Sequence, residues 1–262
     1  MPKPLLHRYP TPQGITAFST TRHGGVGSGT YGEFNITDYC GDAPQAVAAN
    51  LLALAEALQL PPARIVLPHQ THGTVVRQVA EDFFALSPTT RTMLLEGVDA
   101  LITAEPQVCI GVSTADCIPV LLYHPHRRVA AAIHAGWRGC AAGIVEKTVC
   151  EMNRLYSTCP ADLFAVIGPC IGQCCFETGD DVPAAMLDAL GGDAALYMSR
   201  SGEKWHVDLV GLNELWLLRA GLDPDRIEVS GLCTACHGEL FWSHRKLGWE
   251  RGLQAAAITC VK

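Results

Sequence analysis

The sequence has no apolar stretch near the ~20 residues that a membrane-spanning helix requires. Its N-terminal segment, MPKPLLHRYPTPQG, holds two adjacent leucines where a secretory signal would carry an apolar core of roughly 7–15 residues. Both absences lead to the expectation of a cytoplasmic protein with no membrane partner. Basic charge is also scarce. The 19 Lys and Arg stand against 26 Asp and Glu, a net charge of −7. Nucleic-acid binders accumulate positive charge against phosphates, so the overall field excludes that class but leaves room for a local pocket holding one phosphate. No repeat, low-complexity tract or Pro/Ser-rich linker divides the chain, and residues 1–262 are read as one domain. The glycine-rich segment TTRHGGVGSGTYGEFN (Thr20–Asn35) lacks the Gly-Lys-Ser/Thr of a Walker loop. It is expected to be a mobile loop in which Arg22 is available to an anion.

Cysteine, by contrast, is plentiful, with 12 residues. In a chain of this length without an export signal, free thiols are expected, most of them as small buried apolar residues. Cys233-x-x-Cys236-His237 has the spacing of a haem attachment site, a redox pair or half a zinc site. A structural zinc needs a second ligand pair, and the adjacent Cys174 and Cys175 are poorly spaced to wrap one tetrahedron. The motif is therefore read as accidental, and Cys170, Cys174 and Cys175 as core or wall residues.

Periodicity predicts a helix over 43–58 capped by Asp42, with Val47, Leu51, Leu54, Ala55 and Leu58 on one face. Further helices are expected over 139–156, 181–190 and 209–220. Short apolar runs bounded by Pro, Gly and Asp predict strands over 15–20, 64–67, 74–79, 99–103, 108–113, 119–123, 129–134, 164–167, 227–230 and 256–259. Many consecutive strands flanked by helices argue for an α+β fold, with large mixed sheets covered by helices.

Reactive side chains concentrate at the ends of three of these runs: His69, Gln70 and His72 in LPHQTHG, Asp116 and Cys117 in STADCIPVLLY, and His134 and Arg138 in AAIHAGWRG. His72, Cys117 and His134 are too widely separated for a zinc finger. They suit a catalytic metal site, in which three ligands arrive from different strands and a fourth position stays open. Two imidazoles and a thiolate fit zinc, with copper as the weaker alternative. The same atoms also fit a nucleophilic Cys117 with His134 as its base and Gln70 or a backbone N–H as oxyanion donor.

The ordered series TTRHGGVG, Phe34-Asn35, HQTHG, VDALIT, TADCIPVLLY, HAGWRG, IGPCIGQCCFETG and FWSHRKLG resembles the laccase-domain, or YfiH-type, family, also known as multicopper polyphenol oxidoreductases. The resemblance spans nearly the whole chain. It implies a layered α/β/β/α sandwich similar to the catalytic domain of cytotoxic necrotizing factor. It also implies a zinc held by His72, Cys117 and His134, and purine nucleoside phosphorylase with adenosine deaminase activity. The substrates would be adenosine, inosine, guanosine or methylthioadenosine together with phosphate, and the protein a monomer or homodimer.

Under that reading Cys117, His72, His134 and Asp116 are the catalytic candidates, with Asp116 or His69 shuttling protons. Arg22, Asn35, Gln70 and Arg138 are the substrate and phosphate candidates, because guanidinium forks match phosphate oxygens. Trp137 is read as packing. The family usually continues Gly-x-x-Gly-Arg near the C-terminus, whereas here Leu253 follows Gly252. The alternatives are a Cys-His amide hydrolase, such as a peptidoglycan-precursor editing enzyme, and a copper polyphenol oxidase.

Overall fold

The computed structural model describes residues 2–260; Met1, Val261 and Lys262 lie outside the described residues. In chain order the strands are β1 (Leu6–Arg8), β2 (Ile15–Thr20), β3 (Ile65–Val66), β4 (Val76–Gln78), β5 (Ala100–Thr103), β6 (Cys109–Thr114), β7 (Ile118–His124), β8 (Val129–Ala135), β9 (Phe164–Ile167), β10 (Glu177–Thr178), β11 (Met198–Ser201), β12 (Lys204–Val207), β13 (Ile227–Val229) and β14 (Gln254–Cys260). The helices are α1 (Pro44–Leu58), α2 (Glu81–Ala85), α3 (Pro88–Leu95), α4 (Trp137–Ala141), α5 (Ile144–Tyr156), α6 (Asp181–Leu190), α7 (Leu209–Arg219) and α8 (His244–Leu247).

Two mixed sheets carry the fold, in the orders β1-β2-β14-β6-β3 and β13-β9-β7-β8-β5-β4; a small sheet, β10-β12-β11, lies apart. Side-chain alternation along the strands shows how the layers stack. On β14, Ala255 and Ala257 pack with Phe18 and the α1 residues Ala53 and Leu54. Its intervening Ala256, Ile258 and Cys260 pack with Leu121, Ala130 and Ala132 of the other sheet. On β7 and β8 the opposite parity, Val120, Leu122, Ala131 and Ile133, meets Val145, Val149 and Met152 of α5, Met186 of α6 and Leu212 of α7. The layers therefore run α1, first sheet, second sheet, then α5 to α7: an α+β sandwich with both sheets covered. All seven residues of β7, of β8 and of β14 are buried. This is why these strands read as continuous apolar runs without polar alternation.

The register brings one end of the second sheet together. In the β7–β8 pair Pro119 lies opposite His134, and in the β5–β8 pair Ala100 lies opposite Ile133. Strand β4 runs parallel to β5 with Val76 opposite Ala100. The residues just before β4, β5 and β7 therefore meet the last residues of β8.

Several expectations need correction. Asp42 does not cap α1: Ala43 occupies the N-cap without a side-chain bond, and Asp42 accepts from the Ala43 amide (2.7 Å) and Asn35 Nδ2 (3.0 Å). Pro at the first turn lets the helix start one residue beyond the reach of that carboxylate. The helix expected over 139–156 is two, broken at Gly143, whose φ of +71° no helix accommodates. The glycine-rich segment is tied down rather than loose. A Cβ on Gly25 would stand 2.3 Å from the Glu33 carbonyl. Asn50, fully buried on α1, accepts from the Val26 amide (3.0 Å) and donates to the Glu33 (3.2 Å) and Asn35 (2.9 Å) carbonyls. Among the described residues no helix is long and apolar enough to cross a membrane.

Replacing Asn50 by Ala removes the partner of three backbone groups, of which the Asn35 carbonyl is buried. It is expected to lower the unfolding free energy by about 1–3 kcal/mol and to expose Thr21–Asn35 to limited proteolysis. Urea titration and peptide mapping check both. An unchanged midpoint with an intact segment would show that the loop is held elsewhere.

Candidate functional site

The ligand atoms of His72, Cys117 and His134 all lie within 4.8 Å of one another. Cys117 Sγ is 3.6 Å from His72 Nε2, and the two imidazoles meet edge to face with centroids 4.9 Å apart. Each arrives from a different place at the convergent sheet end: His72 from the turn before β4, Cys117 from the residue before β7, and His134 from the end of β8. The backbone is shaped to bring them in. His72 has a φ of +63° and Asp116, next to Cys117, a φ of +96°; such values are uncommon for side-chain-bearing residues and cluster at functional sites. Gly136 is required for space, since a Cβ there would lie 2.7 Å from the His72 ring and 3.3 Å from Cys117 Sγ.

Asp99, one residue before β5, organises the group and was not singled out from the sequence. Its carboxylate is fully buried and accepts from His134 Nδ1 (2.8 Å) and from the amides of His72 (3.0 Å), Gly73 (2.8 Å) and Thr71 (3.3 Å). The His134 amide also donates to the Asp99 carbonyl at 2.8 Å. With Nδ1 held by a carboxylate, the Nε2 of His134 is the nitrogen left to act beside the thiol. This is the arrangement that orients metal-binding and catalytic imidazoles alike. The aspartate in VDALIT, polar at the head of an apolar strand, was the available signal.

The electrostatics follow from this packing. Burial by itself raises the Cys117 thiol, but the positive His134 beside it, with hydrogen bonds from His134 and His72, outweighs burial and brings it down to about 6. Burial likewise disfavours the His134 cation, and the Cys117 thiolate and Asp99 hydrogen bond overcome it, raising His134 to about 9. Burial pushes Asp99 up, and His134 and the loop amides more than reverse that, leaving it below its ordinary value. Without a metal, the pair at neutral pH is a thiolate beside an imidazolium. The thiolate is the form that binds metals and attacks electrophiles.

Two cavities flank the triad. One, of about 400 Å³, is lined by Tyr39, His69, Gln70 and Ser113; the other, of about 460 Å³, by Trp137, Arg138, Phe176 and Arg245. His72, Cys117, Trp249 and Arg251 border both. His69 contacts both Glu96 oxygens through Nδ1 (2.8 and 2.9 Å) and packs against Tyr39. Arg138 lies at the second cavity, its guanidinium 4.2 Å over Trp137.

Other expected residues are engaged elsewhere. Arg22 lines neither cavity; it donates to the Gly238 (2.7 Å) and Gly32 (3.3 Å) carbonyls and lies 4.0 Å over Trp242. Asn35 is fully buried and binds Thr37, Asp42 and the Leu253 amide. Both therefore join the N- and C-terminal segments. Gln70 borders the first cavity, but its amide donates to the Ser113 carbonyl (2.6 Å) and accepts from the Ser113 amide (3.0 Å), as a rung of a strand would. Asp116 has one carboxylate oxygen on Thr234 Oγ1 (2.7 Å) and the other on the Arg245 amide (2.6 Å), which pins the C-terminal segment beside Cys117. Arg251, the residue before Gly252, reaches the site. It is 8% exposed, Nη1 meets Cys40 Sγ, and Nε is buried without a partner.

A family model described as multi-copper polyphenol oxidoreductase laccase matches residues 16–261. A purine nucleoside phosphorylase of Bacteroides thetaiotaomicron is 40% identical over 95% of this chain and 92% of its own length. Adenosine deaminase RL5, from an unknown prokaryotic organism, is 37% identical over 92% of each chain. Among solved structures, YlmD from Geobacillus stearothermophilus superposes with a TM-score of 0.89 at 32% identity, covering 95% of this chain and 93% of that one.

In chelator-treated protein, site-resolved alkylation of Cys117 by iodoacetamide is expected to be half-maximal near pH 6 and to fall below it as the thiolate is protonated. Asp99→Asn removes the anion that holds the His134 cation, so the midpoint moves upward, and metal affinity drops by roughly 10–100-fold. A wild-type midpoint at the ordinary thiol value of about 8.5 would show that the ion pair is not formed.

Proposed function

The chain belongs to the multi-copper polyphenol oxidoreductase laccase family, and from that premise we propose that it is a zinc-dependent purine nucleoside phosphorylase with adenosine deaminase activity. Its substrates are adenosine, inosine, guanosine or methylthioadenosine with phosphate. The observation that carries this reading is the convergence of His72, Cys117 and His134, braced by Asp99, at the meeting point of two cavities.

The donor set fits a zinc ion. Two imidazoles and one thiolate come from separated strands, the second imidazole is oriented by a carboxylate, and one side is open to the cavities. A bound zinc would supply Lewis acidity there. The remaining work falls to this chain's own residues. In phosphorolysis, phosphate attacks the sugar C1′ as the purine departs, so an anion must be held beside a centre that becomes positive. Arg138 and the under-partnered Arg251 border the second cavity and supply guanidinium donors for the phosphate oxygens. Trp249, 80% exposed at the rim of both cavities, offers a face for the purine. His69, whose Nδ1 is held by Glu96, keeps Nε2 for proton exchange with the departing base or the amino group. It takes this role over Asp116, both of whose oxygens are engaged.

The alignment of Asp99, His134 and Cys117 also has the order of an orienter, a base and a nucleophile, as a Cys-His amide hydrolase requires. The names carried by the relatives, phosphorylase and deaminase, favour the nucleoside reading over it. A multinuclear copper oxidase would need histidines gathered into a cluster. Among the described residues the metal-holding group that contains histidine is His72, Cys117 and His134.

Purified protein is expected to release hypoxanthine from inosine in proportion to added phosphate, followed by chromatography. Cys117→Ala should lose the metal at this site and reduce turnover by on the order of 10²–10³-fold, the loss of several kcal/mol of charge stabilisation. Arg251→Ala should raise the phosphate KM by roughly tenfold or more, the value of one charged hydrogen bond, with metal content unchanged. No base release from any purine nucleoside in the presence of phosphate would sink the reading. Rapid alkylation of Cys117 without prior metal removal would favour the hydrolase.

A further inference from the structure

Away from this site, four thiols meet that the sequence spacing did not pair. Cys174 and Cys175 lie in the loop after β9, and Cys233 and Cys236 in the segment before α8. Their sulfur atoms all fall within 4.8 Å of one another. Cys174 is 3.8 Å from Cys175 and 3.7 Å from Cys236, and Cys175 is 3.5 Å from Cys236. Four sulfurs around a zinc at about 2.3 Å form a tetrahedron with edges of about 3.8 Å. A disulfide would need about 2.05 Å, and it would use two of the four thiols and strand the others.

The local backbone explains how adjacent cysteines share one tetrahedron. The amides of Cys175 and Phe176 both donate to the Gly172 carbonyl at 3.0 Å, a tight turn that brings consecutive sulfurs to one side. The amides of Cys236 and His237 both donate to the Cys233 carbonyl, at 3.1 and 2.9 Å, forming a second turn that faces the first. A strand-like bridge from Cys170 to Cys233 sets the two turns together. The Gly172 amide donates to Cys233 Sγ at 3.2 Å, a contact that favours thiolate charge. A Cβ on Gly172 would lie 3.3 Å from Cys174 Sγ and 3.6 Å from Cys233 Sγ, so the turn leaves the sulfurs their space by having no side chain there.

We propose that Cys174, Cys175, Cys233 and Cys236 bind one zinc ion in a closed four-thiolate site, separate from the site at His72, Cys117 and His134. Each thiol gives up its proton on binding. All four corners are protein sulfur, so the ion is structural and has no open position for a substrate. Its effect is to staple the Cys233–Cys236 turn to the loop whose Ile171 and Phe176 line the second cavity. Arg245 Nη1 and Nη2 donate to the Cys175 (3.0 Å) and Glu177 (2.9 Å) carbonyls, and Thr234 and the Arg245 amide hold Asp116 beside Cys117.

The test is a metal count per chain, by mass spectrometry, on full-length protein purified under reducing conditions. Wild type, Cys117→Ala, Cys236→Ser and the double variant are expected to hold two, one, one and no zinc ions. Because Cys236→Ser removes a staple and can misfold, Cys117→Ala carries the decision: the proposed site is intact in it whatever the protein's activity. Cobalt loaded into Cys117→Ala should give the intense sulfur-to-metal absorption and tetrahedral visible bands of a four-thiolate centre. A zinc-free Cys117→Ala protein, a cobalt spectrum without those bands, iron in place of zinc, or a disulfide among the four in anaerobically prepared protein would each overturn the assignment.

Discussion

A carboxylate removed from water beneath the site must be fully hydrogen-bonded, and Asp99 meets that demand by collecting the pieces of the site. It accepts from the His134 ring and from three consecutive amides, Thr71 to Gly73, while its own carbonyl takes the His134 amide. One buried charge thus fixes the ring orientation of one imidazole and the backbone that carries the other. The cost of leaving such a charge unpaired, several kcal/mol, makes the arrangement all-or-none. The negative Asp99 stabilises a positive His134, and the positive His134 stabilises a negative Cys117. The polarity of the whole line is set from its buried end.

The two sheets make that line possible. Strands β7, β8 and β5 are antiparallel neighbours whose register puts Asp99 beside His134 and Cys117 close to both. Alanines at 130, 131 and 132 on β8 and at 255, 256 and 257 on β14 keep both faces of those two strands shallow, so the two sheets close on each other. Reactive groups then sit on rigid elements at a rim, where their geometry is held while the cavities beside them stay open.

The C-terminal segment completes the rim. It is anchored across long sequence distances by the Leu253 amide on Asn35 and the Arg245 amide on Asp116, and the Trp242 amide bonds Gln254 within it. Arg22, Asn35 and Asp116 all bond residues of the C-terminal part of the chain. Arg251, brought in by the same segment, faces the cavities. Polar residue types in a loop do not reveal whether the partner is a ligand or a distant carbonyl. The difference lies in which chain segment arrives opposite them.

Several elements were legible because local forces decide them. Strand β2 (Ile15–Thr20), strand β9 (Phe164–Ile167) and helix α6 (Asp181–Leu190) fall where apolar runs and their breakers put them. The buried strands β7 and β8 were legible to within a residue or two. Short or polar elements were not: α2, α3, α8 and the hairpin of β11 and β12 have too little periodicity to stand out, and Gly143 hid a helix break that depends on backbone direction. The grouping of His72, Cys117 and His134 was legible in kind, since histidine and cysteine at strand ends announce chemistry wherever the strands lead.

Residue order alone was enough for the inventory: an acidic α+β chain, free thiols in quantity, and His72, Cys117 and His134 poised at the ends of buried strands. The pairings waited on the folded chain. It chose Asp99 as the brace, turned Arg22 away and Arg251 in, and gathered four cysteines from two loops, two of them neighbours whose spacing had argued against a shared centre. The physical reason is range. Hydrophobic periodicity acts over a few residues, whereas a buried charge or a thiol finds its partner only through the register of strands far apart along the chain.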